Sequence, residues 1–221
     1  SSAEVTRNST SGSVGGFVGY GSGGTFTGCC STGNLTGGGE TGGFAGNVST
    51  SLITGSYSTG AVSGNGTSVG GFVGYNDAPL SGCYAVGVVT SSAGTSTGGF
   101  AGHITSAGSA VNCYAKGNVS GPYHVGGFSG YNNGSVANCY SIGTAGGSGT
   151  VGAFSGTNGN SITNCYWLAG AAAYGIGSNT SDVTSAVVKT SAELSDALFY
   201  VTMNNGQSPA PWKQIAGVNN G

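Results

Sequence analysis

GGFVG from Gly70, and then GCYAVGVVTS from Gly82, decide the fold, because both phrases recur along the chain. The first returns as GGFVG from Gly15, GGFAG from Gly42 and Gly98, GGFSG from Gly126 and GAFSG from Gly152. Its aromatic residues Phe17, Phe44, Phe72, Phe100, Phe128 and Phe154 are separated by 27, 28, 28, 28 and 26 residues, by subtraction. The second returns as GCCSTGNLTG from Gly28, GSYSTGAVSG from Gly55, NCYAKGNVSG from Asn112, NCYSIGTAGG from Asn138 and NCYWLAGAAA from Asn164. Aligning these on the cysteine brings other columns into line. Three residues earlier stand Phe26, Ile53, Leu80, Ala110, Val136 and Ile162; six later stand Leu35, Val62, Val89, Val119, Ala145 and Ala171.

Each repeat holds about three short apolar segments separated by Gly, Ser, Asn and Thr. Such segments are too short and too rich in glycine for helices, and they suit strands joined by turns. One unit cannot bury its apolar residues alone, whereas stacked units can. The expected fold is therefore all-β: a single-stranded parallel β-solenoid (β-helix) of about six coils of 26–30 residues, with Phe17, Phe44, Phe72, Phe100, Phe128 and Phe154 as a core ladder. At roughly 4.8 Å per coil the rod would be about 25–30 Å long. A bundle of polyglycine-type extended helices would need Gly at period three, which is not the period seen here.

Composition narrows the function. Glycine supplies 48 of 221 residues, against about 7% in ordinary domains. Charged residues are only 5%, and the formal net charge is −2. Nucleic-acid binding needs clustered Lys and Arg, so it is excluded. No apolar run approaches the roughly 20 residues of a membrane-spanning helix, so membrane insertion is not expected. The opening SSAEVTRNST lacks a basic segment followed by an apolar one, as expected of a chain whose signal peptide has been removed. Four prolines and no period of three exclude collagen.

The pairing of GGFVG with NCYAKGNVSG resembles the GLUG repeat of large bacterial and archaeal surface proteins, including adhesins. The resemblance runs from about Val14 to Trp167, and the segment carrying KTSAEL and PWKQIAGVNNG also resembles the tail common after such repeats. Ser56 in place of Cys, and Cys30 in place of Tyr, depart from the pattern. The resemblance implies a secreted, extracellular or cell-surface location; it supplies no ligand.

Three regions are expected: a polar arm over 1–13, either without fixed structure or covering the first coil; the solenoid over 14–167; and a capping segment over 168–221. Within the last, 168–185 loses the period and reads as a loop around the final coil. Thr190-Ser191-Ala192-Glu193 fits a capping box, predicting one short helix from Ser191 to Phe199.

Candidate chemistry is sparse. Cys29, Cys83, Cys113, Cys139 and Cys165 share a column that cannot converge on a metal, and Cys30 stands beside it. Buried thiols are the favoured state. Disulfides between coils are the alternative, with Cys83–Cys113 and Cys139–Cys165 as the adjacent pairs and a strained Cys29–Cys30 bond as a further option. Alternation along a strand turns the next column, Tyr57, Tyr84, Tyr114, Tyr140 and Tyr166, outward if cysteine points inward. A second row holds Tyr20, Tyr75, His103 and Tyr131, with Asn47 and Thr157 in the other copies. Both rows are candidate surfaces for assembly or for stacking on sugars. Sequons stand at Asn8, Asn34, Asn47, Asn65, Asn118, Asn133 and Asn179. No persistent Thr-x-Thr column favours ice binding, and no loop of alternating carboxylates favours calcium. HExxH is absent, as is a GxSxG elbow with partners. The expectation is a non-enzymatic adhesive or fibre-forming module without cofactors, whose partner is itself or a glycan-bearing host surface. A carbohydrate-binding module is the alternative, and an ice-binding solenoid a minor one.

Overall fold

The computed structural model describes residues 2–7, 11–179, 186–209 and 211–212. Their fold is a parallel β-solenoid of about six coils. The coil around Phe72 shows the plan: Val62–Gly64, Ser68–Gly70, Val73–Asp77, Pro79–Ser81 and Tyr84–Ala85 are its five strands. Each strand enters a different sheet and pairs in parallel only with its equivalents one coil before and one coil after. The first sheet aligns Val5, Leu35, Val62, Val89, Val119 and Ala145. The second aligns Val14, Thr41, Val69, Thr97, Val125 and Val151. The third carries Tyr20, Asn47, Tyr75, His103, Tyr131 and Thr157 in one column. The fourth aligns Phe26, Ile53, Leu80, Ala110, Val136 and Ile162, and the fifth aligns Cys30 with the five tyrosines.

The GGF phrase is the tight turn between the second and third sheets. Coil-to-coil hydrogen bonds continue through it: each Phe N–H from Phe44 to Phe128 donates to the next Phe carbonyl at 2.7–2.8 Å. The rings stack at 4.8–5.1 Å with interplanar angles of 4–10°. Phe44, Phe72, Phe100, Phe128 and Phe154 are fully buried, whereas Phe17 at the end of the stack is 43% exposed.

Glycine has a use here beyond turns. A Cβ on Gly98 would lie 2.0 Å from the Ala101 carbonyl oxygen, and one on Gly130 would lie 2.4 Å from the Thr97 nitrogen. The second and third sheets therefore touch backbone to backbone, which no other residue permits. That contact divides the interior in two. One core holds the phenylalanines with the inward residues of the third, fourth and fifth sheets; the other holds Leu35, Val62, Val69, Val89, Val119 and Val125 between the first two.

Both termini add to the stack. In the N-terminal arm, Val5–Thr6 pairs with Leu35 and Thr36. The 168–185 stretch is not loop throughout: Ile176–Asn179 continues the third sheet over Ser155–Asn158. Val187–Lys189 then continues the fifth over Tyr166–Leu168. Thr190 caps helix α1 (Ser191–Ser195) through the expected capping box. The single predicted helix is broken, however. Asp196 is extended at φ −72°, ψ 138°, and its carboxylate accepts the Leu198 N–H at 2.8 Å, which starts α2 (Ala197–Asn204). A short acidic side chain that can take a backbone N–H favours such a cap over continuation.

Candidate binding surfaces

The cysteine column lies inside. Cys83, Cys113, Cys139 and Cys165 are at most 1% exposed, all six cysteines are free thiols, and no disulfide links the described residues. Each buried sulfur points to the carbonyl two residues earlier, as in Cys113 Sγ to Val111 O at 3.2 Å and Cys139 Sγ to Ala137 O at 3.1 Å. The sulfurs of Cys113 and Cys139 also receive the N–H of the preceding coil's cysteine, Cys83 N to Cys113 Sγ and Cys113 N to Cys139 Sγ, both at 3.4 Å. Ser56, the exception in sequence, makes the equivalent bonds, since its hydroxyl accepts the Cys29 N–H and donates to Thr54 O, both at 3.1 Å. The column thus supplies a small side chain that satisfies a backbone N–H unable to join the ladder. Burial and neighbouring sulfurs push the Cys139 thiol well above its usual range, and Cys83 is raised by its contact with Cys113 and by burial. Among the described residues no three His, Cys, Asp or Glu side chains could hold a metal together.

The residue before each cysteine-column position has positive φ: Gly28, Gly55, Gly82, Asn112, Asn138 and Asn164 lie between 50° and 64°. This explains why only Gly and Asn occupy that column.

The tyrosine ladder does not form the open surface that strand alternation suggests. Tyr57, Tyr84, Tyr114 and Tyr140 stack at 4.8–5.0 Å within 4° of parallel. Rings with neighbours on both faces offer solvent only edges and hydroxyls. The capping segment also covers the far end. Phe199 of α2 meets Tyr140 and Tyr166 edge to face at 6.0 and 5.2 Å, and Trp212 lies 6.2 and 5.5 Å from Tyr114 and Tyr140. Tyr114 and Tyr166 are buried, and Tyr57, Tyr84 and Tyr140 are half-buried; Tyr140 lies under Phe199 and Trp212, whereas Tyr57 and Tyr84 have no ring contact with them. The physical reason is that α2 carries Phe199 and Met203 on one face, and the tyrosines are the apolar surface that buries them.

The row on the third sheet is more open and less regular. Tyr20 is 60% exposed, while Tyr75 and Tyr131 are half-buried. His103 stands between Tyr75 and Tyr131 at 5.1 and 5.2 Å, inclined by 77° and 66°. Burial lowers its pKa. His124, from the second sheet, meets Tyr131 at 5.4 Å and 83°. Neither His124 nor the exposed Tyr123 is repeated in the other coils. The signal that could have singled them out is the break in the repeat, where Pro122-Tyr123-His124 leads into GGFSG.

Of the sequons, Asn34, Asn65 and Asn118 are exposed, and Asn47 and Asn133 are half-buried. Asn8, and the side chain of Asn179, lie outside the described residues. Among the described residues no helix is long and apolar enough to cross a membrane.

A stack of parallel coils built on GGF and NCY columns defines a repeat β-solenoid. One coil matches the GLUG motif: the family model of that motif covers residues 121–145, and strand pairing places the other coils in register with it. No curated protein and no solved structure matches the chain.

Proposed function

We propose that the protein is an extracellular, non-catalytic structural module that self-associates or holds one surface to another through its solenoid. The observation that carries this is the face of the first coil. Ser13–Gly15, Val18–Ser22, Thr25–Thr27 and Cys30–Ser31 are the outermost strands of their sheets among the described residues, and Phe17 is 43% exposed on top of a stack of buried rings. Any coil placed there, from chain preceding it or from another molecule, would continue those ladders at the spacing already in use. With a net charge of only −2, little repulsion opposes that contact.

The test is negative-stain microscopy with sedimentation velocity on the chain and on a Thr25→Pro, Phe17→Lys variant, which blocks the edge without entering the buried core. The expected outcome is concentration-dependent rods or fibres for the parent and monomers with unchanged circular dichroism for the variant. A parent that stays monomeric at high concentration would overturn self-association.

A second reading, saccharide contact through aromatic side chains, is favoured by the third-sheet row. Its rings stand edge to face, so their faces are not consumed by stacking as they are in the tyrosine ladder.

A further inference from the structure

The chain has two histidines, and both pack on one ring, that of Tyr131. His103 comes from the coil before and His124 from the same coil, across the contact between the second and third sheets. The fold does not ask for this. At the position of His124 the other coils place Ser13, Glu40, Ser68 and Ser96, and the last coil has Thr150 just before Val151, the partner of Val125. Tyr123, 57% exposed, has no role in either core.

Around His124 the surface is concave. Two open depressions of about 360 Å³ share Thr95 and His124; one extends to His103, Tyr131 and Asn133, and the other to Tyr123. The hydroxyls of Thr150, just before the second sheet's strand Val151–Gly152, and of Thr157, in the third sheet, lie 2.8 Å from His124 Nδ1. They fix the imidazole's orientation and leave Nε2 as its remaining polar atom.

We propose that this concavity is a binding site for an uncharged saccharide. The proposal rests on the saccharide reading above and gives it a place. Tyr123 supplies the exposed flat apolar surface on which a sugar ring packs, beside the half-buried Tyr131. Thr95, Asn133 and His124 supply convergent groups that donate to and accept from hydroxyls. Among the described residues no Lys, Arg, Asp or Glu lines either depression, and burial keeps His103 below the usual imidazole range, so an anionic sugar finds no counter-charge from them. A metal ion fits less well, since two imidazoles have no third thiolate, carboxylate or imidazole beside them among the described residues. The stretch that breaks the repeat at Pro122 lies within the coil matched by the GLUG motif, so the departure is confined to one decorated coil.

Because only two imidazoles exist, their ring proton signals in a one-dimensional NMR spectrum are assigned by a single His124→Asn variant. The full chain is titrated with cellohexaose, mannohexaose and chitohexaose, with oligo-alginate as the anionic control and zinc as the metal control. The expected result is a millimolar or tighter response of the His124 signal to at least one neutral oligosaccharide, weakened about tenfold or more in Tyr123→Ala with an unchanged circular dichroism spectrum. Calorimetric binding of a neutral oligosaccharide that moves neither histidine signal and survives Tyr123→Ala would overturn this site while leaving saccharide contact elsewhere. No binding of any neutral oligosaccharide would overturn both. A response to alginate alone or to zinc alone would replace the proposed ligand class.

Discussion

Asn112 accepts the indole N–H of Trp212 at 3.2 Å and donates its own amide to Gln207 at 2.8 Å, tying a mid-solenoid turn to residues 95 and 100 positions away. Its column must adopt positive φ, which both Gly and Asn tolerate. The choice between them follows the cap. Asn112, Asn138 and Asn164 stand in the coils whose tyrosines α2 and Trp212 cover; Gly28, Gly55 and Gly82 stand in the coils they leave open. Asn164 takes part as well, donating to Asn138 at 2.6 Å and accepting the Tyr166 hydroxyl at 2.5 Å. Backbone geometry restricts the column to two residue types, and docking of the cap selects between them.

Asn112→Gly therefore keeps the turn and removes both links. Each lost hydrogen bond should cost the docked cap about 0.5–1.5 kcal/mol. The expected outcome is faster proteolysis within 186–212 and a red shift of tryptophan emission, with the β spectrum of the solenoid unchanged. Cleavage and emission identical to the parent would mean that the ring contacts alone hold the cap.

The phenylalanine stack makes a positional prediction. Phe100 is fully buried with parallel rings at 5.1 and 4.8 Å on its two faces, so Phe100→Ala should cost about 3–5 kcal/mol. Phe17 has one stacked neighbour at 4.9 Å and is 43% exposed, so Phe17→Ala should cost less than about half as much. Urea titrations of the two variants compare them directly. Equal losses would contradict a ladder that frays at its first ring.

Much of this architecture was legible from the residues. A phenylalanine recurring every 26–28 residues and a cysteine column 11–13 residues after it are enough to stack coils, because registration between coils needs only that equivalent positions meet. The openness of the tyrosines was not legible. Alternation places Tyr114 on the outer face of its strand, but whether that face meets water depends on Phe199 and Trp212, which carry no repeat. The two cores were also hidden, since a glycine required by backbone contact, such as Gly130, looks in sequence like a glycine required by a turn. Tyr123 and His124 escaped because column alignment brings out what repeats, and neither recurs in the other coils.

Thr97 is fully buried in the smaller core, and its hydroxyl has no hydrogen-bond partner. The positions before and after it in the column are Val69 and Val125. Valine has the same shape without the polar atom, so Thr97→Val should stabilise the protein by about 1 kcal/mol. Thr41, in the same column, donates to the Gly38 carbonyl at 3.2 Å, so Thr41→Val should be neutral or destabilising. Opposite signs in thermal unfolding are expected, and a destabilised Thr97→Val would mean that the hydroxyl has found a partner.

Free thiols along the fifth sheet predict insensitivity to reductant. Because no disulfide links the described residues, adding dithiothreitol should leave the unfolding midpoint where it is. A fall of several degrees would reveal bridges between coils, of the kind that typically contribute about 2–4 kcal/mol.

The last prediction concerns acid. His103 lies between Tyr75 and Tyr131 with its Nε2 out of solvent and unpartnered, and burial lowers its pKa. In the unfolded chain the ring returns to about 6.5. The unfolded state therefore binds the proton more readily, so the stability associated with this ring is complete above about pH 6.5 and declines as pH falls from there toward the folded-state pKa. His103→Phe keeps an aromatic ring in the row and removes the titration, while His124 and the carboxylates remain in both proteins. Denaturant midpoints taken across this range should fall more steeply for the parent than for His103→Phe. Parallel curves would mean that protonation of His103 is no harder in the folded row than in the open chain.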